Sequence, residues 1–423
     1  MKTKFFVFGW AAVLAGGLFA APTVSVTQMR QESGVVKIDY ALANEAAIVT
    51  VDFQTNGVTI GEANFTNIGG DVNRLVTPGD HAITWKAYKS WRNRRARVKA
   101  VVTAWTPANP PDYMVIDLTQ QNAVSYYVST NALPNGGLAN DDYRLSKMVF
   151  RKIAARGRQF RMGPGLNEKR GTTGMDEYPM LASFSEDYYL GIYPVTQRQY
   201  MYIQGLSVSP CNFKSEHYGN DDYLMGPFES ILCNSIRGGV WMGSDALTAQ
   251  SGAAPAADSL VANVRALAGL EQLDLPTEAQ WEFACRAGTT TKFWWGDADI
   301  TAARGNINQG VKLPGNKTIG SFSYRTSRVD AYPPNPWGLY DLYGNVEELC
   351  LDWAKAQQKR PPACDYVGPE NSDCSLASHV TKGGGCQLTG AAHYRSAWHN
   401  AGLNQKDNQR RGVVGARLCC TIR

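Results

Sequence analysis

A chain of 423 residues with 44% hydrophobic residues and 11 tryptophans has the length for two or three domains and the apolar material for a large core. Its 42 Lys+Arg against 37 Asp+Glu leave a net charge of +5, too mild to imply a nucleic-acid partner. Beyond the first residues no segment approaches the roughly 18 continuous apolar residues of a membrane span, so the mature chain is expected to have none.

The chain opens MKTKFFVFGWAAVLAGGLFAAPT, with Lys2 and Lys4 ahead of an apolar run and then Ala20-Ala21. This is the layout of a secretory signal peptide over residues 1–21; an uncleaved anchor is the alternative. Export places the protein in a secreted, periplasmic or cell-surface setting, where disulfides form. Nine cysteines leave at least one unpaired within the chain. Cys364 with Cys374, and Cys350 with Cys419 or Cys420, are candidate pairs.

Residues 22–106 show apolar residues at a period near two: Val24 and Val26, then Val36, Ile38 and Tyr40, then Ile48, Val49, Val51 and Phe53, then Ile83 and Trp85, then Val98 and Val101. Gly- and Asn-containing breaks separate these runs. The pattern predicts an immunoglobulin-like, all-β sandwich. The basic run Arg92, Arg94, Arg95, Arg97 and Lys99 reads as a solvated strand face. Residues 107–144 read as a proline-rich linker with lead-in strands at 113–118 and 125–130. In the remaining domain, 145–423, helices are expected at 261–270 and 277–287. The second has Thr277 three residues before Gln280, the spacing of a capping box.

The densest signal is NPWGLYDLYGNVEELCLDW at residues 335–353. FRMG at 160–163, YPVTQRQY at 193–200, LPTEAQWEFACRAG at 275–288, KGGG at 382–385 and GAR at 415–417 accompany it. Together they resemble, in the right order, the signature segments of the formylglycine-generating enzyme family, the sulfatase-modifying factors. The resemblance implies an α+β domain with little regular secondary structure, related to C-type lectins.

It also implies a structural calcium site. Its ligands carry over to Asp341, Gly344, Val346 and Glu348, a hard-oxygen set suited to that ion. A second calcium site carries over to Asn306 and Ile307, but the loop expected to complete it, 317–323, has no aspartate.

Members of this family oxidise a sulfatase cysteine to formylglycine with oxygen and a copper ion held by two cysteines. A soft thiolate pair is what copper(I) requires. Here the two cysteine positions are Leu388 and His393, the preceding serine is Gly385, and a pocket tryptophan is Glu347. Copper is therefore not expected. The pocket candidates are Glu347, Cys386 and His393, since a carboxylate beside an imidazole can do general-base work. His379, His393 and His399 show no zinc spacing. The favoured function is an exported, non-catalytic module binding peptide or glycan through residues 394–411, with Tyr394, Trp398, His399 and Asn400 as contacts, joined by Asn404, Gln405, Asn408 and Gln409. The alternative is an oxidase, either a true formylglycine generator or another oxidoreductase on the scaffold.

Overall fold

The computed structural model describes residues 20–92, 96–165, 168, 179–218, 221–238, 254–307, 325–354, 361–368, 378–388, 390–404 and 412–423. The expected signal peptide lies almost wholly outside them, as do Arg94, Arg95, Cys374, the loop 317–323, Gln405, Asn408 and Gln409. Among the described residues no helix is long and apolar enough to cross a membrane.

The N-terminal unit consists of two sheets. Strands β1 (Thr23–Glu32), β2 (Val35–Ala43), β7 (Gly79–Trp85) and β5 (Ile68–Gly70) pair in that order in one. In the other, β3 (Ala47–Thr55) lies between β4 (Val58–Thr59) and β6 (Arg74–Val76), and β8 (Lys99–Trp105) also pairs with β3. Alternation sends Val36, Ile38, Tyr40 and Leu42 of β2 inward, where they join Val49, Val51 and Phe53 of β3 and Ile83 and Trp85 of β7 in one core. Val26 departs from the expected pattern: β1 is a sheet edge, and Val26 is 40% exposed. Among the described residues of the basic run, only Lys99 lies on a strand. Arg92 and Arg97 precede β8, which starts only at Lys99, and Arg92 Nε donates to the Tyr88 carbonyl at 2.7 Å.

The second unit is built on a six-stranded antiparallel sheet. It comprises β9 (Tyr113–Asp117), β10 (Val124–Tyr127), β11 (Lys147–Ile153), β14 (Tyr188–Gly191), β15 (Leu273–Asp274) and β21 (Cys419–Thr421), in the order β10-β9-β11-β14-β21-β15. Val115, Val149, Leu190 and Cys419 pack on one face; Met114, Phe150, Tyr189 and Cys420 pack on the other. The two apolar clusters of this unit are thus the two sides of one sheet. The lead-in segments form its edge, and the Tyr189 hydroxyl anchors the proline stretch by donating to the Pro111 carbonyl at 2.5 Å.

Two smaller sheets carry the signature segments. One runs β12 (Gln159–Met162), β13 (Met180–Ser183), β17 (Ala363–Cys364); the other runs β19 (His399–Asn404), β18 (Ser378–Lys382), β16 (Glu347–Trp353), β20 (Val414–Gly415). Helices Leu260–Ala268 and Glu278–Arg286 match the expected pair, and Thr277 and Gln280 form the capping box. A third helix, Gln197–Gln204, has no counterpart in the sequence reading. Thr196 and Gln199 give it the same capping box inside YPVTQRQY. Mixed sheets with few helices make the domain α+β.

The expected Cys350 bridge does not form. Cys350 on β16 and Cys419 and Cys420 on β21 sit in different sheets, and each is a buried free thiol. Cys364 is a free, exposed thiol.

Candidate functional site

The signature segment turns sharply before it enters β16. Gly344 adopts φ +87, and a Cβ there would lie 2.4 Å from the Asn306 carbonyl oxygen, so the position requires glycine. Asp341 and Asn345 occupy the left-handed region too, at φ +54 and +66, which their short polar side chains tolerate. Asn345 is fully buried and ties the turn to its neighbours. Its Nδ2 donates to the Ser327 carbonyl (3.2 Å) and Asp341 Oδ1 (3.4 Å), and its Oδ1 accepts the Ser327 amide at 2.9 Å.

Asp341 Oδ2 accepts the Asp330 amide at 2.8 Å. Burial pushes the Asp341 carboxyl up to about 7, although that amide and the Arg417 guanidinium pull it down; Asp330 and Glu348 add to the rise. Glu348 is engaged on both oxygens. Arg417 Nε reaches Oε2 at 2.9 Å, a terminal Arg417 nitrogen reaches Oε1 at 2.7 Å, and Trp281 Nε1 donates to Oε2 at 2.6 Å. Val346 packs with Cys386 and Val413. Asn306 Nδ2 donates to the Arg325 carbonyl at 2.9 Å, and Ile307 is buried beside it. The carried-over calcium residues therefore gather around one turn, with Glu348 already committed to a guanidinium.

Alternation along β16 sends Glu347 to the other side of the strand. There its Oε2 accepts from Thr381 Oγ1 at 2.6 Å and Asn400 Nδ2 at 3.3 Å. Below this lies a buried charged layer. Lys382, fully buried, donates to Glu282 Oε2 at 3.1 Å and lies 3.7 Å from Glu278 Oε1. Burial disfavours its ammonium, but Glu282 and Glu278 outweigh that and hold it above its ordinary value. His399 Nδ1 lies 2.5 Å from Glu278 Oε1.

The positions carried over from the family's copper pocket differ in packing as well as in residue type. A Cβ at Gly385 would lie 2.7 Å from Val413 Cγ2, so a serine there would displace Val413. Leu388 packs against the main core, and His393 meets Trp398 edge to face with ring centroids 5.4 Å apart. An alkyl chain and an imidazole supply no thiolate pair. Cys386 is wholly buried in the small Val346–Val413 cluster, and burial pushes its thiol well up. A thiol held protonated is a poor nucleophile and a poor metal ligand.

The expected contact surface needs correction. Tyr394, Trp398 and His399 are only 1%, 3% and 5% exposed. The Tyr394 hydroxyl is turned inward, donating to the Leu388 carbonyl at 2.5 Å and lying 3.2 Å from the Gly385 carbonyl, so it staples the pocket loop rather than presenting itself to solvent. Asn400, half-buried, is bonded to Glu347. Two polar atoms stand out: Trp398 Nε1 and His399 Nε2 are buried and make no hydrogen bond with the described residues. Arg417, Lys382 and Asn345, which organise the site, lie inside the GAR, KGGG and GNV segments; their motif positions were the available signal.

Residues 153–422 match the family described as the sulfatase-modifying factor enzyme 1-like domain. The chain is 40% identical over 133 residues to the formylglycine-generating enzyme of Thermomonospora curvata, covering 29% of this chain and 42% of that protein. It is 42% identical over 85 residues to the inactive C-alpha-formylglycine-generating enzyme 2 of Bos taurus, covering 20% and 26%. The chain thus spans well under half the length of these curated relatives. Among solved structures it is similar to Treponema denticola variable protein 1, with 20% identity, a TM-score of 0.46, and coverage of 65% of this chain and 95% of that one. With more than half of its residues matched to the family, the chain belongs to the sulfatase-modifying factor enzyme 1-like domain family.

Proposed function

We propose that this chain is an exported, non-catalytic member of the family that binds a peptide or glycan with the polar pocket replacing the copper site. The observation that carries the reading is the combined loss at Gly385, Leu388 and His393, with Val413 filling the space beside Gly385. Trp398 Nε1 and His399 Nε2, buried and without a hydrogen-bond partner among the described residues, support a polar guest, because such polar atoms in a native interior call for a partner. One curated relative carries the word inactive in its name, in keeping with this assignment. The N-terminal sandwich is taken as immunoglobulin-like and as a spacer that displays the second domain.

Calcium is part of the proposal. Asp341 would hold it with the carbonyls of Gly344 and Val346, and the bound charge would offset the burial that raises the Asp341 carboxyl. Glu348 has roughly one of its four acceptor positions left after Arg417 and Trp281. Asn306 and Ile307 remain the positions for a second ion.

Incubation with a CxPxR sulfatase peptide, oxygen and copper(I), followed by mass spectrometry, tests the reading. The expected outcome is unmodified peptide. Formylglycine formed by the purified protein would establish the oxidase instead.

A further inference from the structure

A second surface, lined in part by Phe283 and Arg286 of the helix Glu278–Arg286 and by none of Glu347, Gly385, Leu388 and His393, has a geometry of its own. A groove of about 880 Å³ runs beside β12, within the range of small-ligand sites. Five basic side chains line it, Arg151, Lys152, Arg158, Arg161 and Arg286, against one carboxylate, Asp112. Three of the five are occupied: Arg151 and Lys152 pair with Asp112, and Arg286 pairs with Glu282. Arg158 and Arg161, both exposed, form no ion pair among the described residues.

Among the described residues the same strand leaves its backbone open: β12 is the outer strand of its sheet and pairs there only with β13. Even-numbered positions face β13, as the Phe184 amide bonded to the Arg158 carbonyl shows, so the amides and carbonyls of Gln159 and Arg161 face the free edge. Further along, at Gly163, that edge is already closed: Glu282 accepts its amide at 2.8 Å and Arg286 donates to its carbonyl at 2.7 Å. Exposed edges are usually blocked in this way. The open stretch therefore ends at Gly163, where Glu282 and Arg286 of the helix close it.

Side chains alternate across this edge. Phe160 packs inward on Phe283, ring centroids 5.2 Å apart, and Phe283 packs on Trp337 at 5.3 Å. Arg161 and its cross-strand neighbour Leu181 face outward, and Leu181 is 43% exposed.

We propose that this groove takes up an extended polypeptide segment as an added strand along Gln159–Met162, with acidic side chains toward Arg161 and apolar ones toward Phe160 and Trp337. Strand addition draws affinity from the main chain and specificity from alternating side chains, and both features are on this edge. A saccharide has no amide ladder to match Gln159 and Arg161, so a peptide is the better fit. The inference goes beyond the function proposed above, because it concerns a different surface.

The test uses the full chain and a fluorescent peptide of about eight residues alternating Asp and Leu, read by anisotropy. Binding should weaken with salt and fall about tenfold or more in Arg158→Glu/Arg161→Glu. Replacing Asp by Asn, or methylating alternate amides, should weaken it comparably. Both arginines are exposed, and unchanged thermal unfolding confirms that the variant folds. No binding, binding unaffected by the charge reversal, or binding indifferent to amide methylation overturns the proposal. A sulfated oligosaccharide that binds the groove when the peptide does not overturns it in favour of a glycan site.

Discussion

Arg417, two residues before β21 begins, grips Glu348 of β16 in a two-pronged ion pair with both side chains fully buried. Its other contacts are backbone carbonyls, Gly191 at 2.8 Å and Tyr340 at 2.6 Å. One guanidinium thus joins the six-stranded sheet, the signature turn and the β16 sheet. Trp281 brings the helix Glu278–Arg286 into the same contact.

Removing one partner leaves the other charge stranded in a dry interior. Arg417→Met is expected to lower stability by about 3–5 kcal/mol, whereas Arg417→Met with Glu348→Met loses much less. Urea unfolding of the two variants measures this. A double variant as unstable as the single one would mean that packing, not the charge pair, holds these elements together.

Asp341 sets a pH dependence of definite sign. Its carboxyl is raised to about 7 in the folded protein against an ordinary value near 3.8, so between these values the folded state holds a proton that the unfolded state has lost. Stability from this group is present below about pH 4 and is lost as pH rises toward 7. Asp341→Asn should flatten that slope and stabilise the protein at neutral pH in chelator. Calcium, by favouring the carboxylate, should raise the wild-type melting temperature at pH 7.5 and leave the Asn variant unmoved. Equal responses of both proteins to calcium would remove Asp341 from any ion site.

The N-terminal sheets and two of the three longer helices were legible in the sequence because their signals are local. Val36, Ile38 and Tyr40 alternate on one strand, and Thr277 and Gln280 cap one helix. The long-range arrangement was less legible. Tyr394 and Trp398 look like contact residues by type, yet Tyr394 reaches back to the Leu388 carbonyl and both are buried. Residues 113–117 read as an approach to the domain but complete its main sheet, since pairing with β11 depends on residues some 30 positions away. That positions 388 and 393 carry leucine and histidine rather than cysteine was plain from sequence. The role of Val413 beside Gly385 was not, because the two are brought together only by the fold.

The buried ammonium of Lys382 makes a further case. Lys382→Met leaves Glu278 and Glu282 without their shared cation and should cost about 3–5 kcal/mol. Lys382→Arg keeps the charge and should be much closer to wild type, provided the longer fork finds room. Thermal unfolding at neutral pH distinguishes the two. At lower pH the Lys382→Met penalty should shrink, because protonating a carboxylate removes the stranded charge.

Placing thiols at the carried-over positions tests whether they correspond to the family's copper ligands. Leu388→Cys/His393→Cys reinstates the two thiols the family uses, and the variant is expected to take up one copper(I), read by competition with a chromogenic chelator. Wild type, with Cys386 buried beside Val346 and Val413, should take up none at that site. Adding Gly385→Ser should destabilise the protein by about 1–3 kcal/mol, the usual cost of overpacking, because the new Cβ meets Val413 Cγ2 at 2.7 Å. Val413→Ala should recover most of that loss, so the two changes are coupled rather than additive. If the two-cysteine variant binds no copper while it folds normally, the positions of Leu388 and His393 do not correspond to the family's ligands. If Gly385→Ser costs nothing, Val413 is not what excludes a serine from this pocket.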